Sequence, residues 1–348
     1  MARKQTRKTA PDIRTVAAQA KVSIATVSRT INGSSAVSER LQKRVWLAIH
    51  QLNYFPNSNA RTLVSGHSRL LGIIVENITN PFFPELIQSF EAVAVAHGYE
   101  ILIGSSNSDP VVLTRCVRRM LERKVDGVAV LTFGEEEPVL DQLVHHNVPL
   151  VLAEFRLNDL KSATILLNYS TGIHAAIKHL VELGHTKIAF LAGPRKLHSA
   201  ITRENNFHAA MEAFGLPLQK KWVIECDHTL KGGVAGFGKL RALTERPTAI
   251  LCSNDLTAIG VLRAAYMKGL HVPEDVSVIG LDDISFAEFT LPPLTTIRMS
   301  RSNLARAAFE ALRQQIEEPA NPKLQREFLI SSSLVVRGST APPSTAGW

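Results

Sequence analysis

The chain has 348 residues, of which 45% are hydrophobic and 20% charged, the balance of a soluble globular protein too long for one ordinary core. No apolar run is long enough to span a bilayer, and Met1–Lys8 lacks the apolar core of a secretory signal. Cys116, Cys226 and Cys252 are odd in number and far apart, which argues against a disulfide framework or a Cys-x-x-Cys site and for burial as small hydrophobes in a reduced, cytoplasmic protein.

Net charge is +8, and its distribution is uneven. Residues 1–69 carry twelve Lys or Arg against only Asp12 and Glu39, so this first fifth holds the whole positive excess and the remainder is near neutral. A basic block beside a neutral body is the electrostatic footprint of a nucleic-acid-binding module attached to a second function. A solvated basic tail would lack the apolar periodicity that interleaves this block.

Asp12 is expected to cap a helix in which Ile13, Val16, Ala17 and Ala20 share one face. Lys21-Val22 turns the chain, and Ser23 caps a second helix, Ile24–Ile31, which ends at Asn32-Gly33-Ser34-Ser35. Ser38 is expected to cap a third helix carrying Leu41, Val45, Ala48, Ile49 and Leu52. Two short helices across a tight turn, followed by a third, describe a helix-turn-helix unit, although a three-helix protein-binding module has the same outline. In a helix-turn-helix the second helix enters the major groove N-terminus first. That places Ile24 and Ala25 against thymine methyl groups, Arg29 within reach of a guanine edge, and Thr26 and Ser28 near phosphates. Val27 faces the core.

Beyond Leu70 the pattern alternates between strands and helices: strands at Leu70–Val75, Tyr99–Gly104, Val125–Leu131, Pro149–Ala153, Lys187–Ala192, Ala249–Cys252 and Val276–Leu281. Helices fall near Pro84–His97, Val112–Lys124, Gly172–Leu183 and Asn205–Phe214. Such alternation predicts an α/β body of two doubly wound parallel sheets, in two lobes with a ligand cleft at the strand C-termini.

The run Val16-Ala17-x-x-Ala20-x-Val22-Ser23-x-x-Thr26-Val27-Ser28-Arg29-x-x-Asn32 resembles the headpiece of the lactose/purine repressor (LacI/GalR) family. So does the later run from Val37-Ser38 through Tyr54-x-Pro56-Asn57-x-x-Ala60-Arg61-x-Leu63. Lys21 departs from the glycine often found in that turn, and a ten-residue basic arm precedes Pro11. The body matches at Gly184-His185, Gly193-Pro194, Ser253-Asn254-Asp255, Asp282-Asp283, Leu294-Thr295-Thr296-Ile297 and Leu334–Ser339, so the resemblance covers residues 11–340.

The resemblance implies a basic arm (1–10), a headpiece (11–56), a hinge helix and linker (57–68), a periplasmic-binding-protein-like core (69–340) and a tail (341–348). It puts the first lobe at about 69–160 plus 298–322 and the second at about 161–297 plus 323–340. In the hinge helix, Asn57 would be the cap, Ala60 would line the minor groove and Leu63 would wedge a base step, although Ser, Asn and Gly there also suit a plain linker. Implied partners are double-stranded operator DNA, a second copy of the chain and a small-molecule effector, sugar-like or else a nucleobase, with no membrane, metal or cofactor.

The effector residues so implied are Phe82, Phe83, Glu154, Arg203, His228, Asn254 and Asp282. An Arg–Asp pair suits a polyol, since the guanidinium donates to adjacent hydroxyls and the carboxylate accepts from them. Bland readings stand beside these: an interlobe salt bridge for Arg203 and Asp282, core packing for the two Phe, local capping for Glu154 and Asn254. His145-His146, His174 and His179 lack metal-ligand spacing. Gly232–Gly238 matches no phosphate-loop spacing, which argues against an α/β enzyme, and a transport solute receptor would not carry a helix-turn-helix.

Overall fold

The computed structural model describes residues 11–31, 35–55, 66–132, 137–157, 162–319, 321 and 323–344. The chain divides into two units, 1–68 and 69–348.

The first unit holds α1 (Ile13–Ala20), α2 (Ile24–Ile31) and α3 (Glu39–Leu52) around a small core of Val16, Ala17, Ala20, Val27, Val45, Ala48 and Ile49. Asp12 caps α1 by accepting from the Thr15 amide at 2.8 Å, a bond of the kind worth about 1 kcal/mol. Lys21 closes α1 at φ 50°, ψ 50°, the left-handed turn the sequence implied. Arg44 braces that turn, donating from Nη2 to the carbonyls of Ala20 at 2.6 Å and Lys21 at 3.2 Å. Ser23 caps α2 through the Thr26 amide at 3.1 Å. Ser38 sits at the start of α3, but its side chain makes no cap bond; its carbonyl takes the amides of Leu41 and Gln42 instead.

Among the described residues, the second unit contains eleven strands in the order β2-β1-β3-β4-β5-β11-β10-β9-β8-β6-β7. The first-lobe strands are β1 (Leu70–Val75), β2 (Glu100–Ser105), β3 (Gly127–Leu131), β4 (Leu150–Ala153) and β5 (Ala163–Asn168). Second-lobe strands are β6 (Ile188–Ala192), β7 (Val223–Glu225), β8 (Ala249–Cys252), β9 (Ser277–Asp282) and β10 (Thr295–Met299). The long β11 (Glu327–Val335) belongs to both: Glu327–Ser331 runs parallel to β5, and Ser332–Val335 runs antiparallel to β10. Helices α4 (Phe82–Ala96), α5 (Pro110–Glu122), α6 (Glu137–His145) and α11 (Arg301–Glu317) go with the first sheet. Helices α7 (Tyr169–Glu182), α8 (His198–Ala213), α9 (Leu230–Arg241) and α10 (Asp255–Met267) go with the second. Among the described residues, no helix is long and apolar enough to cross a membrane.

The pairing shifts the expected lobe boundaries. Residues 163–168, assigned from the sequence to the second lobe, pair with β4 and bury Ala163 and Ile165 in the first sheet, so the chain first crosses after Asn168. It crosses back at Ser300 and crosses a third time inside β11, between Ser331 and Ser332. The crossings are tightly packed where α7 meets them. A Cβ on Gly172 would collide with Ile297 and sit 2.6 Å from the Ser332 hydroxyl, which accepts the Gly172 amide at 2.9 Å. All three cysteines are buried free thiols.

Candidate functional site

Helix α2 presents Ile24, Ala25 and Arg29 to solvent and buries Val27 completely. Ile24 is 46% exposed, unusual for an isoleucine in so small a unit and consistent with a contact surface. Thr26 and Ser28 are half-buried, and the Thr26 hydroxyl lies 2.9 Å from that of Ser23, within the cap. Asn57, Ala60 and Leu63 lie outside the described residues.

In the second unit a cavity of about 400 Å³ opens between the lobes. Its wall is built where parallel strands end. Glu76 and Asn77 follow β1, Asn107 and Ser108 follow β2, and Pro194 and Lys196 follow β6. Asp227 and His228 follow β7, Asn254 follows β8, and Asp282 ends β9. At these edges side chains leave the sheet free of the ladder, which is why α/β proteins place ligands there.

Arg203 and Asp282 are 5% and 4% exposed and both face this cavity. Arg203 Nη2 lies 3.9 Å from Asp282 Oδ1. Both residues belong to the second lobe, so the pair is not an interlobe bridge. Arg203 Nη1 donates to the Ser253 carbonyl at 2.6 Å, and Nη2 donates to the Tyr169 hydroxyl at 3.3 Å. Its buried Nε has no hydrogen-bond partner among the described residues. Burial opposes the guanidinium charge, but Tyr169, Asp282 and Glu154 more than offset it and hold Arg203 protonated. Burial pushes the Asp282 carboxyl upward, against the pull of Arg203.

Phe82 and Phe83 line the cavity while belonging to the core, 3% and 4% exposed and edge-to-face at 5.4 Å. They offer an apolar wall rather than a broad stacking face. The His228 imidazole also lines the cavity, with Nε2 2.7 Å from the Ser253 hydroxyl. Its pKa is pushed down to about 3 by burial and by the Arg203 charge, which keeps the ring neutral. Asn254 lines the wall with both side-chain groups engaged: Oδ1 accepts the Thr257 amide at 2.9 Å and Nδ2 donates to the His228 carbonyl at 3.0 Å. It caps α10 and fixes His228 in one stroke.

Glu154 departs from expectation. It follows β4 at φ 72° and turns its carboxylate into the first sheet, where Oε1 accepts the Leu167 amide at 2.7 Å. It is not part of the cavity wall. Burial pushes its pKa up to about 7, with the Leu167 amide and Arg203 opposing.

Sequence reasoning missed Glu76, Tyr169 and Lys196. Glu76 had a usable signal, its place directly after the first strand. Its carboxylate accepts from the Ser108 hydroxyl at 2.8 Å, and burial raises its pKa. Tyr169 had none, because its contact with Arg203 depends on the packing of α7 against α8.

A helix-turn-helix unit joined to a two-lobed core with a polar cleft defines a ligand-responsive, DNA-binding regulator. Comparison with known proteins agrees. Residues 12–57 match the family described as bacterial regulatory proteins, lacI family, and residues 177–340 match a periplasmic binding protein-like domain. The chain is 34% identical over 331 residues to the HTH-type transcriptional repressor PurR of Glaesserella parasuis serovar 5 (strain SH0165), spanning 94% of this chain and 97% of that protein. It is 32% identical to the ribose operon repressor of Haemophilus influenzae, across 93% and 97% of the two chains. The crystal structure of the lac repressor dimer bound to operator and the anti-inducer ONPF superposes with a TM-score of 0.83 at 28% identity, covering 95% of this chain and 99% of that one. The chain belongs to the LacI family and is a transcriptional repressor with a DNA-binding domain and an effector-binding domain, not an enzyme.

Proposed function

We propose that the protein binds a near-palindromic operator as a homodimer and that a neutral, sugar-like effector in the cleft controls this binding. The observation that carries the effector class is the buried Arg203 Nε, a donor without a partner, beside the Asp282 carboxylate in the same cavity. A hydroxyl can accept from the first and donate to the second. The wall's polar groups argue further. Glu76, Glu225, Asp227 and Asp282 offer carboxyl oxygens to ligand hydroxyls, and burial holds Glu76 and Asp282 toward their neutral forms. The ribose operon repressor relative, a LacI-family structure with bound ribose and a CelR–cellobiose complex support the same class.

The PurR relatives favour a nucleobase as a second reading. A flat heterocycle gains most from an open aromatic face, and Phe82 and Phe83 turn almost none of theirs to the cavity.

On the DNA side, Ile24, Ala25 and Arg29 are assigned to base edges, Thr26 and Ser28 to phosphates, Asn57 to the cap of the hinge helix, and Ala60 and Leu63 to the minor groove. The basic block of residues 1–69 supplies the salt-dependent share of affinity. Dimerisation is supported by Phe286, Phe289 and Leu291, exposed to 58%, 76% and 93% in one short stretch after β9. A protein acting on chromosomal operators works in the cytoplasm.

The test is a thermal-shift panel of D-ribose, cellobiose, ribose 5-phosphate, adenine and guanine on the full chain, with Asp282→Ala and Arg203→Ala as controls. Stabilisation by a neutral sugar that either substitution abolishes is expected. A preference for a nucleobase or for the sugar phosphate, lost in the same variants, would overturn the sugar assignment.

A further inference from the structure

The segment that carries Asp282 leaves β9 in a strained backbone, with φ 124° at Asp282 and 55° at Asp283. Residues with a side chain avoid this region unless their surroundings hold them there. Within the second lobe, Asp255 accepts the Ile284 amide at 2.8 Å and Arg298 and Arg337 pair with the Asp283 carboxylate, and two first-lobe side chains add a hold from across the cleft. Arg301, the first residue of α11, donates from Nη1 to the carbonyls of Asp282 at 3.0 Å and Asp283 at 2.7 Å. Its Nε lies 3.0 Å from Glu85 Oε2. Glu85, on α4, uses its other oxygen to accept from Ser285, from the amide at 3.1 Å and from the hydroxyl at 2.7 Å. Arg301 and Glu85 are 20% and 24% exposed, buried enough for these charge-assisted bonds to be firm. Helices α4 and α11 pack against each other, so the two side chains act from one platform on one second-lobe segment.

We infer that Glu85 and Arg301 are positioning residues for the effector: they help hold Asp282–Ser285 so that the Asp282 carboxyl sits beside Arg203 on the cavity wall. The same grip ties the second-lobe effector contact to α4, the helix that begins with Phe82 and Phe83. This inference rests on the reading of the cleft as the effector site. A planar guanidinium suits the task because it can serve two carbonyls and a carboxylate at once; a lysine keeps the charge but lacks the fork.

The experiment uses the full chain and the variants R301Q, R301K, E85Q and S285A. Hydrogen exchange is followed at the peptide spanning residues 282–288, with the β1 peptide as an internal reference. The grip predicts that R301Q and E85Q speed exchange at Ser285 by about tenfold or more, with Ile284, whose amide donates to Asp255 at 2.8 Å, less affected, that R301K rescues only partly, and that β1 is unchanged. Any sugar from D-ribose or cellobiose that binds the unaltered chain in an Asp282-dependent way should bind R301Q and E85Q about tenfold more weakly, at nearly unchanged melting temperature of the free protein. S285A, which removes one bond and leaves the ion pair, should fall between. Full rescue by R301K would reduce the role to charge and overturn the inference, as would wild-type exchange in R301Q and E85Q or unchanged sugar affinity. If neither sugar binds, the sugar assignment fails while the exchange result alone decides this inference: faster exchange sustains it and wild-type exchange overturns it.

Discussion

The Arg203 guanidinium lies over the ring of Tyr169, 4.7 Å from its centroid, and donates to the hydroxyl of the same residue. One aromatic side chain thus supports the cleft arginine through its face and through its edge. Tyr169 is 1% exposed, so both contacts are desolvated and stronger than their surface equivalents. Tyr169→Phe keeps the face and removes the hydrogen bond, and should weaken Arg203-dependent ligand binding by about 1 kcal/mol. Tyr169→Leu removes both and should cost about 2 kcal/mol or more. Isothermal titration of the two variants separates the contributions; equal losses would show that the ring face contributes nothing.

Gly193 stands where no side chain fits. A Cβ there would collide with the His228 ring and lie 2.9 Å from the Ala200 Cβ. Gly193→Ala should therefore push His228 from its bond to Ser253 and destabilise the protein by about 1–3 kcal/mol, read from urea denaturation. It should also weaken any cleft ligand, because Ser253 also positions Arg203 through its carbonyl.

The buried ionisable groups give stability a definite pH dependence. Glu154 is pushed up to about 7, so its protonated form favours the fold, and that contribution is lost as pH rises from the ordinary carboxylate range through about 7. His228 is pushed down to about 3, so it favours the fold when neutral, and stability falls as pH drops from the ordinary imidazole range toward 3. Glu154→Gln should flatten the neutral-side decline, and His228→Asn should flatten the acid-side one. Denaturant midpoints from pH 4 to pH 8 check both signs.

Lys21 holds a left-handed turn at φ 50° that costs a residue with a side chain about 1 kcal/mol relative to glycine. Lys21→Gly should raise the headpiece melting temperature if relief of strain outweighs the greater freedom gained by the unfolded chain. It should also lower salt-dependent DNA affinity slightly, by removing one cation. A lower melting temperature would show that Arg44, bonded to the Lys21 carbonyl, already compensates the strain.

That turn was legible in the sequence because the signals that mark it lie within a few residues: two short apolar faces, two caps and the spacing between them; its brace, Arg44, was not. The strands of the body were legible for the same reason, as short apolar runs such as Leu70–Val75 and Ala249–Cys252. What escaped notice depends on distant partners. Strand β11 reads as a polar run, Ser331-Ser332-Ser333, and its Ser332 is explained by Asn168, Thr171 and Gly172, the nearest of them 160 residues away. Glu85 looks like an ordinary first-turn acid until Ser285, 200 residues later, is brought against it. Glu154 shows the opposite error: its position suggested the cleft, but a positive φ and the Leu167 amide turn it inward.

The central claim is that cleft and DNA-reading helix share one equilibrium, and operator affinity measured at fixed salt with and without the stabilising cleft ligand tests it most directly. The ligand should change the affinity of the full chain for its selected operator by about 5- to 150-fold, and Asp282→Ala should abolish that change. Arg29→Ala should weaken operator binding by about 1–3 kcal/mol while leaving the ligand response in place. A ligand that fills the cleft, depends on Asp282 and leaves operator affinity unchanged would contradict the account.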